Sequence, residues 1–377
     1  MRIESHTIFM IILFVNSFFV CAQSISHDSL LKKARLDIYD NPDHAIAIGK
    51  NLLKKEKDIN KSISVYLLLS TANIAKRNFD ESFQYILKAK DLAQKTNDLK
   101  LQTSVLVSVA IQYQQMELFS KSLETLNEAD RYLERLPKES PEKLIETARS
   151  YAIRGMIYKS QSNSEIALEK FLISIGNFEK VKMKKTTFAN MSVVYYNIGY
   201  CYLNLNEQEK ARQAFIRSIQ YAEKLNAKSL KAFALKGLAE MYKQNRENEK
   251  ALGLLIQAES LSQNTGDLIL NEGIYKEMSE NYLAMGKPDL YQVYNKKYFE
   301  MRFKREQSEL SSINHSINNH NRETQKKAKE LRNKYNYLSI GIILSGSAII
   351  AILIYFIVSI RNRNNKYHKE IQLLIRS

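Results

Sequence analysis

The sequence has no tryptophan, four prolines, eleven glycines and two cysteines in 377 residues. Each scarcity excludes something. Pro42, Pro137, Pro141 and Pro288 all fall where helices would start or stop, so no helical pattern is broken from within. No stretch alternates apolar and polar residues with the period of a half-buried strand, which excludes the all-β classes. There is no glycine-rich phosphate loop, no Cys/His cluster and no nucleophile–base spacing. His315 and His320 are five apart and so do not share a helix face as a metal pair would. The expectation is therefore an all-α protein that is not an enzyme and holds no cofactor or metal.

Arg2 is followed by an apolar run, Ile8 to Val20, and then by Cys21-Ala22-Gln23. A basic start, a short apolar run and small residues predict a signal peptide over residues 1–22, cut after Ala22. The run is too short to cross a bilayer, and Val20 is bulky where lipid attachment at Cys21 would want a small residue. Only Cys201 is then left, so no internal disulfide forms, and Cys201 reads as a small buried apolar group. The formal net charge is +16, with 56 Lys/Arg against 40 Asp/Glu. Export excludes nucleic acid as the reason for this charge. A solvated lysine-rich helical surface remains, as does attraction to an anionic envelope surface or an acidic partner.

What the chain does contain is a repeated helical hairpin, clearest between Tyr195 and Glu223. Gly199 and Ala211 are small where two antiparallel helices must approach. Ile198, Tyr202 and Phe215 are large where the pair buries its inner faces, and Asn204 to Glu207 is a polar turn. Similar patterns start at Leu69, Val109, Arg154, Ile198, Leu238 and Met278, at spacings of 40, 45, 44, 40 and 40. With a degenerate first unit this predicts about seven hairpins over residues 23–303. In the last, Tyr291 stands where a small residue is expected. One hairpin cannot bury its apolar face alone, so the hairpins must stack.

Tyr195, Ile198, Gly199, Tyr202, Ala211 and Phe215 lie at the spacings of a tetratricopeptide (TPR) repeat, and the array resembles that family. The family repeat is usually about 34 residues, and helices about one turn longer would account for most of the difference. HEAT and armadillo repeats have periods closer to these, but the glycine and tyrosine positions favour TPR. The resemblance implies a TPR-like α-solenoid with a concave binding face lined by first helices. Carried onto this sequence, that face holds Arg149, Lys159, Tyr196, Tyr200, Asn204, Lys236, Glu240, Lys243 and Lys276. Asn197 matches the position where some TPR grooves clamp a peptide backbone or carboxylate. A basic, tyrosine-bearing groove would suit an extended acidic or carboxylate-ending peptide. The bland alternative is that Asn197 serves local geometry and the lysines are solvated.

Residues 304–336 are polar and free of Pro and Gly, and a seam that starts before them, Phe299, Phe303, Leu310, Ile313, Ile317, Thr324 and Leu331, falls at 3/4 spacing. This long helix reads equally as a weak homodimeric coiled coil or a monomeric spacer. Residues 337–360 carry no charge, and at about 1.5 Å per residue they reach roughly 36 Å, enough to span a bilayer. Gly341, Ser345 and Ala348 give that helix a small-residue side. The signal peptide then places the array in the periplasm and residues 361–377 in the cytoplasm, as a short tail on an inner-membrane protein. This order is similar to envelope-anchored TPR sensor and regulator proteins of Gram-negative bacteria, without their C-terminal output domain. Two readings follow: an anchored TPR protein binding protein or peptide partners in signalling or assembly, or the sensor half of a transcriptional regulator or histidine kinase.

Overall fold

A computed structural model describes residues 26–181 and 185–376; the predicted signal peptide lies outside them. Fourteen helices and no strand occur among the described residues. They pair as seven hairpins: α1 (His27–Asp37) with α2 (Pro42–Lys55), α3 (Ile59–Ala75) with α4 (Phe79–Ala93), and α5 (Leu99–Gln115) with α6 (Phe119–Glu134). Next come α7 (Pro141–Ser160) with α8 (Ser164–Lys180), and α9 (Lys185–Asn204) with α10 (Gln208–Glu223). The last are α11 (Lys228–Gln244) with α12 (Asn248–Ser262), and α13 (Leu268–Ala284) with the start of α14 (Pro288–Arg376).

The small residues lie at helix crossings, as their spacing predicts. A Cβ on Gly155 would stand 2.6 Å from the Phe171 ring, and one on Gly199 would stand 2.6 Å from the Phe215 ring. Gly237 meets Phe215 from the next hairpin, so that ring is held between two glycines. Ala167, Ala211 and Ala251 are fully buried. Cys201 is buried too, and burial pushes its thiol up to about 11, which suits a packing role and not a nucleophile.

Each hairpin from the second onward turns in the same way. Arg77, Glu117, Ser162, Asn206, Arg246 and Gly286 take left-handed backbone conformations just after a first helix. Each is followed by a bond reaching back five residues, such as Glu207 N–H to the Tyr202 carbonyl at 2.8 Å and Lys287 N–H to the Tyr282 carbonyl at 3.0 Å. This closure satisfies a carbonyl at the helix end. Only Gly286 among the six adopts it without a steric penalty.

Two seams join hairpins that are remote in sequence. At the first, the α1–α2 turn caps α11: the Asp40 carboxylate accepts from Lys228 N–H at 2.9 Å, and the Tyr39 carbonyl accepts from Ser229 N–H at 3.2 Å. Helix α11 has no capping side chain of its own, because Ala227 stands at its N-cap. At the second, Arg77 in the α3–α4 turn pairs with Glu309 of α14 at 2.6 Å. Beside it, Asp80 N–H donates to Ser312 Oγ at 2.7 Å. Arg305 adds pairs to Glu272 of α13 and to Glu309, the latter at 2.8 Å.

The first compact unit runs to Ser316. The second unit, from Ile317, consists of the rest of α14. Within it, Thr324–Lys369 is one helical stretch long and apolar enough to cross a membrane. Phe299, Phe303 and Leu310 are exposed on α14.

Candidate functional site

Side chains of the first helices bond from one first helix to the next, bypassing the second helices. Lys159 Nζ of α7 donates to Asn197 Oδ1 of α9 at 2.6 Å. The Asn197 amide nitrogen donates in turn to the Val193 carbonyl at 2.8 Å. The Lys159 ammonium lies 5.7 Å from the Tyr196 ring centre and 5.3 Å from that of Tyr200. The Tyr200 hydroxyl donates to Glu240 of α11 at 2.9 Å and accepts from Lys236 Nζ at 2.8 Å. Further on, Lys243 reaches α13, bonding Glu277 at 2.5 Å and also Glu280. At the other end Arg149 pairs with Glu146 at 2.7 Å and donates to Ser108 of α5 at 3.0 Å.

The two tyrosines belong to the wall as well as to its surface. Tyr196 and Tyr200 meet edge-on at 5.0 Å, Tyr200 stands on Phe215 at 5.3 Å, and Tyr196 meets Phe233 at 5.6 Å. Such edge contacts fix ring orientation. The rings are therefore preorganised by the same Phe215 that Gly199 and Gly237 hold from the two sides.

The structure brings together Lys159, Tyr196, Asn197, Tyr200, Lys236 and Glu240, with Lys243 and Arg149 continuing the line in either direction. It does not bring in Asn204 or Lys276. Asn204 is exposed at a hairpin end, donating to Ser164 Oγ at 3.1 Å, and Lys276 is an exposed lysine 3.8 Å from Glu280. Among the described residues, the wall is charge-paired where the sequence suggested a basic one. Arg149, Lys236 and Lys243 each have a carboxylate within salt-bridge reach, and so does Lys276 outside it. Sequence reasoning missed those partners at Glu146, Glu277 and Glu280. The signal was available in part: the carboxylates reached by Lys243 lie 34 and 37 residues further on, one repeat away.

Lys159 differs from the others. Among the described residues it has no carboxylate partner, and its contacts are a neutral amide and two aromatic faces. Burial pushes its ammonium down to about 8, with repulsion from Lys236 adding to the effect. Between about pH 8 and the ordinary lysine value of 10.5, the unfolded chain keeps a proton that the folded chain has released. Stability from this group therefore rises with pH across that window. Lys159→Met should remove that rise. The check is the difference in urea midpoint between wild type and variant, measured from pH 7 to 10; a constant difference would count against a depressed Lys159.

Two cavities open beside this wall. One, of about 170 Å³, lies between Ile38, Ile74 and Ala75 of the first hairpins and Leu230 and Phe233 of α11, with Asp267 also on its lining. The other, of about 150 Å³, is lined by Val193, Tyr196, Asn197 and Ser218, and by the same Leu230 and Phe233. Asp267 caps α13 by accepting Leu270 N–H at 3.0 Å, and burial raises its pKa.

The sequence matches no family profile and no curated protein. Solved structures do resemble the chain. A Rap protein complexed with competence and sporulation factor is 12% identical, with a TM-score of 0.53 over 81% of this chain and 94% of that one. NprR in complex with its cognate peptide NprX is 13% identical, with a TM-score of 0.53 over 86% of this chain and 95% of that one. At these identities the likeness is one of fold, and the fold is that of the TPR-like helical-repeat proteins.

Proposed function

We propose that this chain is a membrane-anchored TPR-like protein that binds a peptide or protein partner on its first-helix wall, with the array in the periplasm, in signalling or assembly. The carrying observation is the continuous wall of cross-repeat contacts from Arg149 to Glu280, flanked by cavities that a side chain can enter. Two proteins of similar fold have been solved with partners bound: NprR with its cognate peptide, and the Rap protein with competence and sporulation factor. The anchor is supported by the apolar stretch within Thr324–Lys369, and the orientation by the signal-like start of the sequence.

The test has two arms. A phosphatase reporter, active only in the periplasm, should work when fused after Lys334 and fail when fused after Ser377. The reverse pattern would place the array in the cytoplasm and end the periplasmic reading. Separately, a photo-crosslinking residue at Val193, beside the wall, should capture a partner that one at exposed Gln213 does not. Equal capture at both positions would remove the wall as the binding face.

A further inference from the structure

The charge bookkeeping of the wall and the two cavities together specify a ligand. An acidic peptide finds few cations to pair with, because Arg149, Lys236 and Lys243 already hold Glu146, Glu240 and Glu277. Displacing those pairs would leave buried carboxylates beside the incoming ones, which is unfavourable. Asp267 on the lining of the larger cavity repels a ligand carboxylate there as well. Lys159 is the exception, a cation whose direct contacts are a neutral amide and two aromatic faces.

The cavities are of a different character. They have volumes of about 170 and 150 Å³ and share Leu230 and Phe233 as a common wall. A dry apolar cavity of about 150 Å³ accommodates a benzene-sized group. Each therefore has room for one leucine, methionine or phenylalanine side chain. Asn197 lines the smaller cavity and also accepts from Lys159, so the Lys159 ammonium lies one hydrogen bond from that cavity's lining.

We infer that the wall takes a short apolar peptide carrying one carboxylate, with two apolar side chains seated on either side of Phe233 and the carboxylate at Lys159. This rests on the peptide-binding reading above and replaces an acidic ligand with an apolar one. The residue in the smaller cavity is the one whose carboxylate Lys159 meets, which makes it the C-terminal residue. The larger cavity, across Phe233, takes the second apolar side chain.

The probe is a positional-scanning library of N-acetylated tetrapeptides with free C-termini, applied to the full chain in detergent. The expected result is selection for Leu, Ile, Met or Phe at the last position and at one earlier position, with Asp and Glu rejected at both. Amidating the C-terminus of a selected peptide should weaken binding by about tenfold or more, the worth of a hydrogen bond to a charged group. Lys159→Met should abolish the difference between acid and amide. Val193→Phe should remove apolar selection at the last position alone, and Ala75→Leu at the earlier one alone. Because these two variants fill different cavities, a folding defect in one leaves the other as a test. Enrichment of Asp and Glu would overturn the apolar class while leaving peptide binding intact. Equal binding of acid and amide would overturn the assignment to Lys159. No selected peptide at all would overturn both this inference and the peptide-binding reading.

Discussion

Phe215→Ala should lower the unfolding free energy by about 3–5 kcal/mol, read as a shift of the urea midpoint at constant slope. The ring is fully buried, stands against Tyr200 at 5.3 Å and is held between Gly199 and Gly237. Its loss removes the support of the binding wall as well as core volume. A second substitution makes the test sharper. Gly199→Ala in the wild type puts a Cβ 2.6 Å from the Phe215 ring, and should cost about 1–3 kcal/mol. In the Phe215→Ala background that clash is gone. The same substitution should then stabilise, by up to about 1 kcal/mol of helix propensity. A cost that stays the same in both backgrounds would mean that Gly199 and Phe215 are not in contact.

Arg77→Ala is expected to cost about 2–3 kcal/mol, in the range of hydrogen bonds to charged groups that are largely out of water. The Arg77 and Glu309 side chains are 12% and 14% exposed, and Arg77 also donates to Gln115 at 2.9 Å and stacks 4.5 Å over Phe79. The comparison is Lys231→Ala, which removes a pair to Glu223 whose side chains are 32% and 51% exposed. A pair that open to solvent contributes about 0–1 kcal/mol. Hydrogen exchange over residues 305–312 should quicken in Arg77→Ala and not in the control. If both variants lose the same stability and exchange alike, the second seam is not a structural contact.

Much of the fold was legible because it repeats. The spacings of 40, 45, 44, 40 and 40 read from the first-helix markers recur unchanged between the left-handed turn residues from Arg77 to Gly286. Gly155, Gly199 and Ala211 were readable because size alone decides how closely two helices approach. The site was only half legible. Tyr196, Asn197, Tyr200, Lys159 and Glu240 were found from their places in the repeat, whereas the Glu277 and Glu280 that neutralise Lys243 belong to the next hairpin. The seams were invisible for a related reason. Asp40 and Lys228 are 188 residues apart, and Arg77 and Glu309 are 232 apart, with no periodic relation to announce them. Beyond residue 303, Arg305, Glu309 and Ser312 each bond back to residues of the array, contacts that no spacing in the sequence marks.

The first seam changes what kind of polymer this array is. A stack of repeats ordinarily behaves as a line: each unit feels only its neighbours, and the terminal units, with one neighbour each, fray first. Capping α11 from the α1–α2 turn gives the first hairpin a second neighbour, in the sixth. Melting can no longer begin at that end without also uncapping a helix of the sixth hairpin, so unfolding becomes more nearly all-or-none. Assembly acquires the opposite burden. The bond between Asp40 and Lys228 closes a loop of 188 residues, and nothing rewards that closure until the intervening hairpins have stacked. By this argument the seam joins late in folding, after the hairpins between Asp40 and Lys228 have stacked.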